Sequence, residues 1–400
     1  SDIKNPSYLQ IASDLLFIQA FASLIVVLQR FVSGIFQVRI EEYVFQIVIL
    51  IGSFFKILSV FYFFANNSYE IVNYFLFTKI IDLFVVFIGL FLVIKRYSIT
   101  SRLILSSFKF DKKIFSKTRN LAFSSIFVTF MWILYYEIDL IIIGKFLGAT
   151  SVAFFAIGLT FSKFLRNLIS IIFSPFQHRF NHFVGNNDID GLREILISVI
   201  RFSMPILVFM ILPIIYFSDN IVVAWVGIDY LPSVTILSLL SLNFIFSFIS
   251  SPTSNIYTSL EKIKELYLSS FLMTFVFWAG ILTTVGYLGL ISFAIFKVVA
   301  SIVVMFYYIK FLIKFLGINF FSFIKILIFP IIIPLIIQLF FLFITKNFLP
   351  FEEGIFNLIL IIIIGALSSF IGLIALFLSS DYYNKIISKN LIRLSKKYYE

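Results

Sequence analysis

Eight charged residues interrupt otherwise apolar stretches of this 400-residue chain. Five are cations, Lys56, Lys79, Lys163, Arg166 and Lys297, and three are acids, Asp82, Glu137 and Asp139. At the centre of a membrane-crossing helix each charge costs about 2.5–3.5 kcal/mol, so five lipid-facing cations would cost roughly 12–18 kcal/mol. The expectation is that they face a cavity or find partners. Lys163 and Arg166 are spaced i, i+3, which places two cations on one helix face with no acid on the same helix. Such a face suits an anionic passenger, for example a phosphate or diphosphate head group, and Lys79, Lys297 and Lys56 are candidates for the same binding. Lys79 and Asp82 are also i, i+3 and so placed that they can pair. Asp139 has no cation within four residues on its inward side, and Lys145 lies nearly two turns outward. That makes Asp139 the expected ion-coupling carboxylate, with Asp82 and Glu137 the next candidates. On a continuous helix Glu137 and Asp139 point about 200° apart, so they cannot both enter one cavity. The competing reading of every one of these residues is structural: a long cation snorkels, and a buried acid hydrogen-bonds to a neighbouring helix.

The chain has no cysteine, which excludes disulfides, thiolate metal sites and cysteine nucleophiles. Its two histidines, His178 and His182, share an i, i+4 spacing, but the surrounding Arg179, Asn181 and Asn186 read as a wet loop. No metal and no cofactor are expected. The net charge of +11 marks loops that touch anionic lipid heads, and no nucleic-acid partner is expected.

Positioning these charges falls to membrane helices. Apolar residues make up 61% of the chain and charged residues 13%, against about a quarter charged in soluble domains. The exterior must therefore face lipid. A window of about 20 residues finds eleven spans. They are Leu15–Gln29, Val44–Ala65, Glu70–Ile94, Leu121–Ile143, Thr150–Ser174, Ile195–Phe217, Leu231–Ser251, Leu266–Gly286, Leu290–Ile309, Phe323–Thr345 and Ile355–Ser379. Continuous apolar runs without alternation make them helices and not barrel strands, so the fold class is an all-α polytopic bundle. Pro205, Pro213, Pro330 and Pro334 fall inside spans, where neighbouring helices must satisfy the carbonyls they free. Lys and Arg number 23 in one alternating set of connections and 3 in the other. By the positive-inside rule the richer set, and with it the C-terminus, is cytoplasmic.

Motifs add a family resemblance. Glu137-Ile-Asp-Leu-Ile-Ile-Ile-Gly-Lys-Phe-Leu-Gly-Ala-Thr150 resembles the seventh helix of polysaccharide flippases. These belong to the multidrug/oligosaccharidyl-lipid/polysaccharide exporter superfamily and include Wzx-type O-antigen flippases. Ser151-Val-Ala-Phe-Phe-Ala156 and Ser174-Pro-Phe176 look like the next helix, and Trp225-Val-Gly-Ile-Asp-Tyr230 is similar to the entry to the tenth. Gly34-Ile-Phe-Gln37 through Tyr43 looks like the link between the fourth and fifth helices.

The resemblance implies that the spans correspond to the fourth through fourteenth helices of the family, with the first three absent. It implies a partial first lobe at 1–95, a six-helix lobe at 96–316, two further spans at 317–380 and a basic cytoplasmic tail at 381–400. It also implies a non-enzymatic flippase of the bacterial cytoplasmic (inner) membrane. Such a protein moves undecaprenyl-diphosphate-linked oligosaccharide to the outer leaflet by alternating access, for O-antigen, lipopolysaccharide or capsule biosynthesis. H+ or Na+ are the candidate coupling ions, and membrane lipids and a polysaccharide polymerase the candidate partners. By position Lys163 and Arg166 match the eighth helix, where family members place cavity cations. One alternative is a drug or cation antiporter of the same superfamily, which calls for an excess of buried acids. Another is a membrane polymerase or glycosyltransferase, which calls for a sizeable external loop.

Overall fold

Eleven apolar runs account for the architecture of the computed structural model, which describes residues 6–39, 41–64, 70–98, 111–380 and 382–384. Among these residues every regular element is helical. Residues 65–69, 99–110 and the tail from 385 lie outside the described residues. Among the described residues ten helices are long and apolar enough to cross a membrane, or eleven spans with the one bent pair counted as a span. This is a multi-pass membrane protein.

The chain divides into two compact units, residues 1–117 and 118–400. In the first, α1 (Pro6–Val38), α2 (Glu42–Phe63) and α3 (Ile71–Tyr97) pack around Val32, Phe36, Phe45, Ile81, Val85 and Val86. Close approach is bought with a small residue. A Cβ on Gly89 would lie 2.5 Å from the Phe45 ring and 2.8 Å from Val32, so only glycine lets α3 seat there. The outward faces remain apolar, with Phe21, Leu50, Phe61 and Phe84 exposed as lipid requires.

The second unit begins with α4 (Lys112–Tyr136), α5 (Asp139–Leu147) and α6 (Ala149–Gly185). Then come α7 (Ile189–Tyr216), the short α8 (Ser218–Val226), α9 (Ser233–Ile245) and α10 (Ser247–Ser259). Four long helices complete it: α11 (Ile263–Leu288), α12 (Ile291–Leu316), α13 (Phe320–Lys346) and α14 (Ile355–Ser379). The span expected over Leu231–Ser251 is the pair α9 and α10, bent by 48° at Phe246. Phe155, Leu159, Ile236, Phe277, Ile281 and Phe293 form one core, and a second surrounds Leu196, Ile249, Tyr257 and Leu312. A Cβ on Gly280 would fall 1.8 Å from the Phe296 ring, so the α11–α12 contact depends on that glycine. The Trp225–Tyr230 motif is an internal clasp: Trp225 meets the edge of Phe161 and Tyr230 that of Phe154, both on α6.

The prolines of α7 explain how α13 and α14 attach. Proline at position i removes the hydrogen bond to the carbonyl of residue i−4. Pro213 thus frees the Phe209 carbonyl, which accepts from Gln338 Nε2 of α13 at 2.8 Å and from Ser369 Oγ of α14 at 2.8 Å. Pro205 frees the Arg201 carbonyl, which accepts from the Tyr383 hydroxyl at 2.6 Å. Each freed carbonyl would be costly in a membrane, and each is met by a side chain distant in sequence. These bonds bind the last two spans to α7.

Candidate functional site

The helix that carries Glu137 and Asp139 does not run straight. α4 ends at Tyr136, two residues turn, and α5 restarts at Asp139. The break falls between the two acids, which take different partners: Glu137 meets Arg166 and Asp139 meets Lys297. It also leaves the Tyr135 carbonyl without its helical donor, and the ammonium of Lys297, on α12, donates to it.

Lys297 is the centre of the site. Its Nζ lies 2.8 Å from Asp139 Oδ2, and the two side chains are only 3% and 1% exposed. Tyr135, Tyr136 and Phe277 present rings around the ammonium, with centroids 4.5, 5.2 and 4.7 Å away. The Asp139 carboxylate takes its counter-charge from this ammonium. The Tyr135 hydroxyl donates to the Lys297 carbonyl at 3.1 Å and stands 3.5 Å from Asn243 Oδ1, which also accepts from Ser301. No cation stands near Asp139 in the sequence, and the structure supplies one from another helix. Its partner lies 158 positions away, beyond any local spacing.

Arg166 occupies the rim. From α6 its guanidinium lies 3.5 Å from Glu137 Oε1 and over the rings of Trp132 and Tyr136, at 5.1 and 4.8 Å. Both partners of that pair are partly exposed. Lys163, one turn earlier, is exposed and makes no ion pair among the described residues. The doubly cationic face is thus divided: Arg166 has an acid from the α4–α5 break, while Lys163 keeps a free charge.

In the first unit, Asp82 meets Lys56 of α2 and not Lys79, whose i, i+3 spacing had made it the expected partner. Lys79 instead stands over the Phe75 ring, 4.7 Å from its centroid. It is the one charged residue lining an otherwise apolar groove of about 300 Å³ between α1 and α3, with Phe17, Phe21, Ile25 and Leu83. His178 and His182 lie in the last turns of α6, so the wet loop read from their neighbours is corrected to helix, and His182 pairs with Asn186 just past its end at 3.1 Å.

These elements define an all-α, polytopic membrane bundle whose second unit encloses a charged site. No family model matches the chain, and no curated protein matches it. Among solved structures it is similar to the lipid II flippase MurJ in an inward closed conformation. The likeness has a TM-score of 0.65 and 18% identity, over 93% of this chain and 74% of that one. That similarity establishes the fold.

Proposed function

We propose that this protein is a flippase that moves undecaprenyl-diphosphate-linked oligosaccharide from the cytoplasmic to the outer leaflet of a bacterial inner membrane. In this reading its C-terminus is cytoplasmic and it supplies surface polysaccharide assembly, with a polysaccharide polymerase as downstream partner. The fold it shares with a lipid II flippase supports a lipid-linked passenger. The observation that carries the reading is the arrangement on α6. Arg166 is partly exposed and held to Glu137 at 3.5 Å, with the exposed Lys163 one turn away. A diphosphate offers more charge and more acceptor oxygens than one carboxylate, so it outcompetes Glu137 for the guanidinium. Charge balance points the same way. Three of the five intramembrane cations are paired to acids, and Lys79 and Lys163 remain as excess positive charge. A carrier of cationic drugs requires the opposite excess.

Proteoliposomes carrying a fluorescent undecaprenyl-diphosphate oligosaccharide test the reading. Wild-type protein should speed its transfer between leaflets, and Arg166→Gln should slow it at least about tenfold, the loss of one charged hydrogen-bond interaction. Transfer no faster than in protein-free vesicles would remove the function. An unaffected Arg166→Gln protein would remove Arg166 from the binding face.

A further inference from the structure

The surroundings of Lys297 are those of a bound cation. Three aromatic faces, a backbone carbonyl and a carboxylate converge on its ammonium, the set of groups that recognises small ammonium ligands. Asp139 behaves as an ion ligand also. Its side chain is 1% exposed and directs Oδ2 at the ammonium from 2.8 Å, as a carboxylate ligand faces its ion. The Tyr135 carbonyl is free for the ammonium only because the helix breaks after Tyr136.

We infer that this is a monovalent-cation site that the protein fills with its own tethered ammonium. Lys297 stands where a sodium ion or a small alkylammonium would otherwise bind. With the cage filled and almost fully buried, soluble cations have no place at Asp139. The charge balance of the cage is then fixed by the chain and does not vary with the ions outside. Asp139 is accordingly withdrawn from the coupling role that its sequence position suggests, and any coupling ion binds elsewhere. This inference stands on the geometry of the cage alone and does not depend on what the protein transports.

Thermal unfolding of the purified, full-length protein in detergent tests it by a binding readout. Wild type should have the same Tm in sodium, potassium and choline chloride at equal ionic strength, and should not respond to n-propylammonium. Lys297→Ala removes the propylammonium portion of the side chain. That variant should gain a saturable rise of about 3 °C or more with n-propylammonium chloride, but none with the bulkier tetramethylammonium. Adding Asp139→Asn should abolish the response. A sodium-specific rise in wild type that Asp139→Asn removes would overturn the inference, and so would a Lys297→Ala protein indifferent to propylammonium. The wild-type arm requires no variant, so poor folding of Lys297→Ala leaves the inference open to refutation.

Discussion

Each unit of this protein carries an ion pair between two of its helices, and the two pairs sit in opposite settings. In the first unit, Lys56 and Asp82 keep 29% and 24% of their side-chain surface. In the second, Lys297 and Asp139 keep 3% and 1%. A pair with residual access can solvate either partner if the other leaves. A fully enclosed pair cannot, so each of its members becomes the other's counter-charge. The enclosed pair is also walled by aromatic rings, whose faces stabilise the cation without offering the acid a donor. What differs between the two units is therefore dependence: the same two residue types are replaceable in one place and obligate in the other.

The largest expected effect follows from that dependence. Lys297→Met strands the Asp139 carboxylate in the core of the second unit and should cost about 3–5 kcal/mol of stability. Removing both charges, Lys297→Met with Asp139→Asn, should recover the part of that loss that comes from the unpaired charge, because no buried charge is then left without its partner. Unfolding of the four proteins in a double-mutant cycle checks this, and additive losses would contradict mutual dependence.

The contrast between the units shows what a sequence reveals of such a protein. Every span was legible, because a lipid-facing helix must be apolar along its whole length. The bent pair α9–α10 begins on the expected span Leu231–Ser251 but runs past it to Ser259. Proline positions announced where carbonyls would be freed, though not that Gln338, Ser369 and Tyr383 would take them. The charged residues were legible as a set but not as pairs. Spacing of i, i+3 put Lys79 beside Asp82, yet Lys56 from the neighbouring helix takes the carboxylate. Likewise the break at Glu137–Ile138, which brings Tyr135, Asp139 and Lys297 together, has no proline or glycine to mark it. Tertiary packing determines such partners, and periodicity along one helix carries no information about the next.

A smaller effect is expected in the first unit. Lys56→Met should cost about 1 kcal/mol or less, since Asp82 retains part of its surface and the pair is partly screened. The Lys56–Asp82 coupling energy from a second cycle should be well under half that of Lys297–Asp139. Equal couplings would show that exposure is not what separates the two pairs.

The smallest effect belongs to a third pair, at the membrane edge of the first unit, and it is read best against pH. Glu41 lies in the link between α1 and α2. It receives Arg96 through Nε at 2.7 Å and Nη2 at 3.0 Å, and the Tyr97 hydroxyl at 2.6 Å. The Arg96 hydrogen bonds foremost, then that of Tyr97, hold its carboxyl below the ordinary glutamate value of 4.5. A carboxylate whose folded pKa is depressed stabilises the fold above its unfolded pKa, and that stability disappears as pH falls through the folded value. Wild type should thus exceed Glu41→Gln in stability at neutral pH by a modest margin, since these groups are open to solvent. The margin should hold down to the ordinary glutamate range and close on further acidification. Unfolding midpoints of the two proteins across the acid range would show it, provided the first unit is followed by its own probe. A margin that stays constant through the acid range, or widens there, would mean that Glu41 contributes by packing and not by its charge.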